Sequence, residues 1–193
     1  VVAEGIREIW LSSEDTGAYG KDIGVPLPHL LDGVVDALPE GVMLRMGMTN
    51  PPHILEHMEG VARALNHERV FKFLHIPVQC GSDRVLQDMK RDYTLEDFCK
   101  LADYMIENVP GITIATDVIC GFPTETEEDF QSTLDLIAKY KFPIVNIAQF
   151  YPRPGTVAAK LPKLPTSVVK ERSRRMTTLF ESYTTWGGMV GTT

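Results

Sequence analysis

The sequence predicts an α/β fold built on a parallel sheet, and two stretches carry most of that reading. An apolar run from Phe71 reaches Val78, breaks at Gln79-Cys-Gly-Ser-Asp83 and leads into a helix. A second run from Ile112 reaches Cys120, breaks at Gly121-Phe-Pro123 and leads into another helix. Strand, break and helix in that order describe a βα unit, and its repetition makes the strands parallel. The third observation is a one-sided apolar stripe in each segment between strands. In such folds ligands sit at the C-terminal ends of the strands.

Element by element, short apolar runs closed by Gly, Pro or polar residues predict strands at Glu8–Leu11, Val42–Met46, Val70–Ile76, Ile112–Ile119 and Ile144–Phe150. Between them, Leu30, Leu31, Val34, Val35 and Leu38 share one helix face, and Ile54, Met58, Val61 and Leu65 share another. Phe98, Leu101, Ala102 and Met105 form a third stripe, and Phe130, Leu134 and Ile137 a fourth. Thr94 with Asp97, and Thr124 with Glu127, stand at the spacing of a capping box. A last helix is expected from about Thr166 towards Phe180, after Pro165. Its charges, Lys170, Glu171, Arg172, Arg174 and Arg175, read first as a solvated face and second as an RNA-facing patch. A six- or eight-stranded parallel barrel would be incomplete with the strands seen here, leaving an unpaired edge at Glu8–Leu11 that predicts poor solubility on isolated expression.

Composition sets outer limits. At 193 residues, 44% hydrophobic and 23% charged, the chain can bury one substantial core. A formal charge of −7 argues against this segment alone gripping nucleic acid. No apolar run approaches the roughly 18 residues of a membrane span, and the chain is expected to be soluble rather than membrane-embedded. Three cysteines, Cys80, Cys99 and Cys120, are too few and too scattered for a disulfide framework.

Candidate chemistry gathers at the strand ends. Glu14 and Asp15 can accept from an amine or a ribose, or cap a turn. Ser82 and Asp83 suit the N-cap of the following helix, whereas Gln79 caps nothing evident. Cys80 and Cys120 read first as buried thiols, and Cys99 as packing or surface. His53 and His57 are spaced as a metal pair that nothing nearby completes. Arg153 sits in Tyr151-Pro-Arg-Pro-Gly-Thr156, a rigid loop able to present a guanidinium to a carboxylate or phosphate.

Together the blocks Ser13-Glu-Asp-Thr-Gly-Ala-Tyr-Gly20, Arg45-Met-Gly-Met-Thr-Asn-Pro51, His75-Ile-Pro-Val-Gln-Cys-Gly-Ser-Asp83, Thr116-Asp-Val-Ile-Cys-Gly-Phe-Pro123 with Glu125-Thr-Glu127, and Tyr151-Pro-Arg-Pro-Gly-Thr156 resemble the radical-SAM methylthiotransferases. The branch they resemble acts on threonylcarbamoyladenosine beside the tRNA anticodon. The resemblance runs from about Gly5 to Tyr183 and implies a partial parallel (β/α)6 barrel domain over 1–183, followed by a tail, 184–193, unlike the family. It implies S-adenosylmethionine and two [4Fe-4S] clusters in the complete protein: one to cleave the cofactor to a deoxyadenosyl radical, one to supply sulfur. tRNA is the implied substrate, with a sulfur donor and an electron donor of unstated identity.

By the same resemblance, Glu14 stands near the cofactor's amino group, Gln79 and Ser82 near its ribose or carboxylate, and the backbone of Ile119 and Gly121 near its adenine. Arg153 is a possible ligand contact. No catalytic side chain and no metal ligand carries over. The family's Cys-x3-Cys-x2-Cys loop, the strand before it, the N-terminal domain with the second cluster's cysteines and the C-terminal RNA-binding domain have no counterpart in this sequence. A fragment inactive on its own is therefore expected, on the cytoplasmic side, with any endoplasmic-reticulum anchor carried by the complete protein. The alternative is a cluster-free barrel remnant acting as a binding or interaction module. A cluster-independent barrel enzyme would need a base with a metal or a Schiff-base lysine at the strand ends, and none shows that set.

Overall fold

The computed structural model describes residues 4–183 and 185. In chain order the elements are β1 (Glu8–Leu11), α1 (Leu27–Ala37), β2 (Met43–Met46), α2 (Pro51–Ile54), α3 (Met58–Leu65), β3 (Phe73–His75), α4 (Asp83–Asp88), α5 (Leu95–Asn108), β4 (Thr113–Cys120), α6 (Glu127–Tyr140), β5 (Ile144–Gln149) and α7 (Thr166–Glu181). The chain divides into two compact units. One comprises Val1–Pro77 and Glu96–Ile114, the other Val78–Leu95 and Ala115–Thr193.

In the first unit β1 and β2 pair in parallel, from Glu8 beside Met43 to Leu11 beside Met46. Helix α1 starts on Pro26 with Pro28 in its first turn, where a missing N–H costs nothing. It buries Leu27, Leu31 and Val35, so its stripe begins one turn earlier than the sequence suggested, and Leu30 and Val34 only flank it. The stripe through Ile54, Val61 and Leu65 is buried as expected, but no single helix carries it: α2 passes through a 3-10 turn at Leu55–His57 before α3 begins. Each fully buried Leu of this unit contributes about 2 kcal/mol by leaving water. The strand expected over Val70–Ile76 is regular only at Phe73–His75, because the Phe73 N–H turns back onto the Phe71 carbonyl (2.7 Å). Earlier in that run, Leu44 donates to Arg69 O (2.8 Å) and Phe71 to Leu44 O (2.9 Å), which sets the segment against β2. Thr113, at the start of β4, donates to Lys72 O (2.8 Å).

In the second unit β4 and β5 pair in parallel, from Ala115 beside Ile144 to Cys120 beside Gln149. On the other side of β4, Gln79 forms an isolated parallel bridge with Val118. Cys80, Val85, Leu86, Tyr93 and Phe122 make a core on which Met89, Phe150, Ala158 and Leu161 pack. The Phe122 and Phe150 rings meet edge to face at 5.3 Å.

Helix α6 corrects one expectation. Its capping box is Thr126 with Asp129, not Thr124 with Glu127. Glu125 is drawn into the loop interior by the Gly121 N–H and Arg172, so the helix opens two residues later. Among the described residues no helix is long and apolar enough to cross a membrane.

Candidate functional site

The C-terminal end of β4 brings together most of the residues singled out in the sequence. Gln79 N–H donates to Asp117 O (2.8 Å), and Ile119 N–H donates to Gln79 O (2.9 Å). Gln79 is buried and sits at φ +68°, a left-handed backbone that only surrounding structure sustains in a residue with a side chain. The ladder stops there. The next N–H that would continue it, that of Gly81, is turned into Thr133 Oγ1 (2.9 Å). A side chain at position 81 would sit 2.7 Å from the Ser132 carbonyl oxygen and from Thr133 Cα, so only glycine lets the loop lie this close to α6.

Ser82 occupies the N-cap position of α4, yet its hydroxyl does not cap that helix. It donates instead to Asp129 Oδ1 (2.6 Å). Asp129 also accepts from the Thr126 N–H (2.8 Å), from Thr126 Oγ1 (2.7 Å) and from Arg84. Burial works against the charged form of Asp129, but the bonds from Ser82, Thr126 and Arg84 outweigh it and hold the carboxyl well below the usual carboxylate range. Asp83 accepts the N–H of Leu95 (2.6 Å) at the head of α5.

Gly121 has φ +82°, and its N–H donates to Glu125 Oε2 (2.9 Å). The same oxygen meets Arg172 Nη1 at 2.7 Å. Burial pushes the Glu125 carboxyl up, against the pull of the Gly121 N–H and of Arg172. Arg172 therefore belongs to the interior, and Arg175 pairs with Glu127, so neither reads as a free RNA-facing charge.

The remaining candidates are Glu14 and Arg153. Glu14 belongs to the first unit, in the loop after β1, with its side chain exposed. Its neighbour Asp15 is structural: it accepts from Gly17 N–H (3.0 Å) and Asn50 Nδ2 (2.8 Å) and lies 3.5 Å from His53 Nε2. Arg153 is exposed in a loop whose turn is closed by Thr156 Oγ1 donating to the Arg153 carbonyl (2.8 Å).

Cys80 and Cys120 are fully buried, and burial raises their thiols to about 11 and about 12. Cys99 is half-buried on α5. Among the described residues no three His, Cys, Asp or Glu side chains are grouped to hold a metal ion, and an iron–sulfur cluster does not fit the cysteines of this chain.

Asp129 and Thr133 were not singled out in the sequence, while Glu125 was read only as part of a motif block and Arg172 only as part of a charged helix face. Arg172 was within reach, since it sits between Val169 and Met176 at helical spacing on the inward stripe of α7.

This arrangement of βα units with its furnished strand end has a family. The chain belongs to the radical SAM superfamily, whose model matches residues 2–137. It is 60% identical over 189 residues to a protein of Drosophila melanogaster named threonylcarbamoyladenosine tRNA methylthiotransferase, covering 98% of this chain and 34% of that one. The human protein of the same name is 58% identical over 188 residues, covering 97% of this chain and 32% of that one. The chain thus spans about a third of the length of these curated relatives. Among solved structures, coproporphyrinogen III oxidase (HemN) from Escherichia coli, a radical SAM enzyme, superposes with a TM-score of 0.61 at 20% identity, covering 80% of this chain and 37% of that chain. That likeness shows the fold.

Proposed function

We propose that this chain is the central barrel segment of a radical-SAM methylthiotransferase that modifies threonylcarbamoyladenosine in tRNA. The observation that carries the reading is the 60% identity to a protein of that name, sustained over 98% of the chain. S-adenosylmethionine and iron–sulfur clusters are the cofactors of the complete protein and supply the radical and sulfur chemistry when bound. The cluster ligands lie outside this stretch, in keeping with a chain that spans about a third of its relatives and whose own cysteines do not suit a cluster.

Gln79, Ser82, Ile119 and Gly121, with Glu14, are proposed to hold S-adenosylmethionine, and Arg153 to contact a ligand. Several features support the assignment. The ladder ends at Ile119, Gly81 N–H is diverted away from it, and Gly121 bends the backbone beyond Cys120. A strand end freed of its ladder partner offers main-chain groups to a purine edge. The Asp129 network keeps Ser82 in one place, which pre-organises the loop. tRNA is the proposed substrate, met on the cytoplasmic side; an endoplasmic-reticulum anchor would be carried elsewhere in the complete protein.

Disrupting the gene and measuring tRNA nucleosides by mass spectrometry tests the reading. The methylthiolated nucleoside should vanish while threonylcarbamoyladenosine accumulates, and re-expression should reverse both. An unchanged nucleoside profile would sink it.

A further inference from the structure

Within the first unit, the sheet face opposite the helices carries an unusual cation. Arg45 on β2 is the register partner of Trp10 on β1, and its guanidinium carbon lies 4.4 Å from the Trp10 ring centre. The Phe73 ring on β3 lies against the same group, its centre 4.0 Å from the guanidinium carbon. Ile9, Leu44 and Leu74 point the other way, with Leu44 and Leu74 fully buried, so the strands commit this face to something other than the core. The three side chains line a cavity of about 190 Å³ together with Ser12, Gly47 and His75, which close or follow the three strands.

Two rings lie against the guanidinium, and the group borders the cavity, where its N–H donors can meet a ligand. Among the described residues no carboxylate or other side chain accepts from those donors. The nearby acid on the same strand face, Glu8, is engaged by the Trp10 indole N–H (2.6 Å). A planar cation that is half-buried between two rings and joined to no carboxylate can receive a planar oxyanion through two N–H donors. Trp10 is 62% exposed, so it also offers a free ring surface to a purine.

A purine joined to a carboxylate describes the threonylcarbamoyladenosine side group. We propose that Arg45, clamped by Trp10 and Phe73, anchors the threonyl carboxylate of the substrate nucleoside and makes the enzyme selective for it. This rests on the function proposed above. The cofactor carries a carboxylate too, and the RNA backbone carries phosphates, so the test separates all three.

The complete methylthiotransferase, anaerobically reconstituted, is given an anticodon stem-loop bearing threonylcarbamoyladenosine, or the same RNA with the threonyl carboxylate converted to its primary amide. The wild type should use the acid about 10- to 100-fold better in kcat/KM, the range of a charge-assisted contact. Arg45→Gln should bring that ratio close to 1, and Arg45→Lys should fall between, because a lysine keeps the charge but not the fork. Equal use of acid and amide by the wild type overturns the proposal without any variant. So does an Arg45→Gln enzyme that keeps the preference, one whose defect is a raised KM for S-adenosylmethionine, or one that weakens use of the acid and the amide RNA alike as a lost phosphate contact would. A wild type that modifies neither RNA overturns the functional reading itself, and this proposal with it.

Discussion

Arg172 Nη1 lies 2.7 Å from Glu125 Oε2, with side chains only 5% and 1% exposed, and it also donates to the Glu125 main-chain carbonyl (3.0 Å). The pair fastens α7 to the loop after β4, and the same carboxylate oxygen takes the Gly121 N–H. One oxygen thus joins the strand end to the last helix. Breaking such a pair from one side strands a buried charge. Arg172→Met should therefore cost about 3–5 kcal/mol in urea unfolding, and adding Glu125→Gln should restore part of it. A loss below about 1 kcal/mol in the single variant would mean that the pair does not hold the helix.

Gly121 combines a left-handed backbone with a close neighbour. A Cβ there would meet Val169 Cγ2 at 2.6 Å. Gly121→Ala should destabilise by about 2–4 kcal/mol, from strain and overpacking together. Val169→Ala in that background should return about 1 kcal/mol by easing the clash, with the Val169 Cβ still 3.1 Å away, while the backbone strain stays. Complete rescue would show that the positive φ carries no cost.

Asp129 gives a signed pH prediction. Its carboxyl titrates below the unfolded value of about 3.9 because, in the fold, bonds from Ser82, Thr126 and Arg84 outweigh the opposing effect of burial. The stability that the ionised group adds is complete above the unfolded value and is lost as pH falls through the folded one. Unfolding free energies of wild type and Asp129→Asn, compared from pH 7 down to pH 2, should show a wild-type advantage that is level near neutrality and shrinks below about pH 4. An advantage that grew on acidification would contradict the network.

The thiols should differ in reactivity. Cys80, also in contact with Thr133 Oγ1 at 3.5 Å, and Cys120 are buried with raised thiols, while Cys99 is partly open. Iodoacetamide at pH 8 should modify Cys99 first in the native chain and all three cysteines only after denaturation. Anaerobic reconstitution of this chain alone with iron and sulfide should give no stoichiometric four-iron absorbance. Rapid labelling of Cys80 would show that the loop opens readily.

Much of this architecture was legible because periodicity depends on local sequence alone. The β1 span, the onset of α7 and the end of β5 lie within a residue of expectation. Legibility failed where a distant partner intervened. The start of α6 moved because Arg172 and Gly121 claim Glu125, and no local spacing announces a residue 47 positions away. Ser82 reads locally as a helix cap, but Asp129 takes its hydroxyl. Gln79 and Ile119 could be singled out one by one, yet only the parallel bridge shows that they share a hydrogen bond. The tail read as unlike the family, 184–193, lies outside the described residues apart from Thr185.

The diverted Gly81 N–H has a consequence for synthesis. Its acceptor, Thr133 Oγ1, belongs to α6 and itself donates to Asp129 O (3.1 Å). On a ribosome, residues 79–83 emerge long before that hydroxyl does, and until α6 has wound and docked the segment has no template for its final bend. Its completion is thus deferred to the moment the whole second unit closes, and a nascent chain stalled before Thr133 would carry this stretch unformed and open to chaperones.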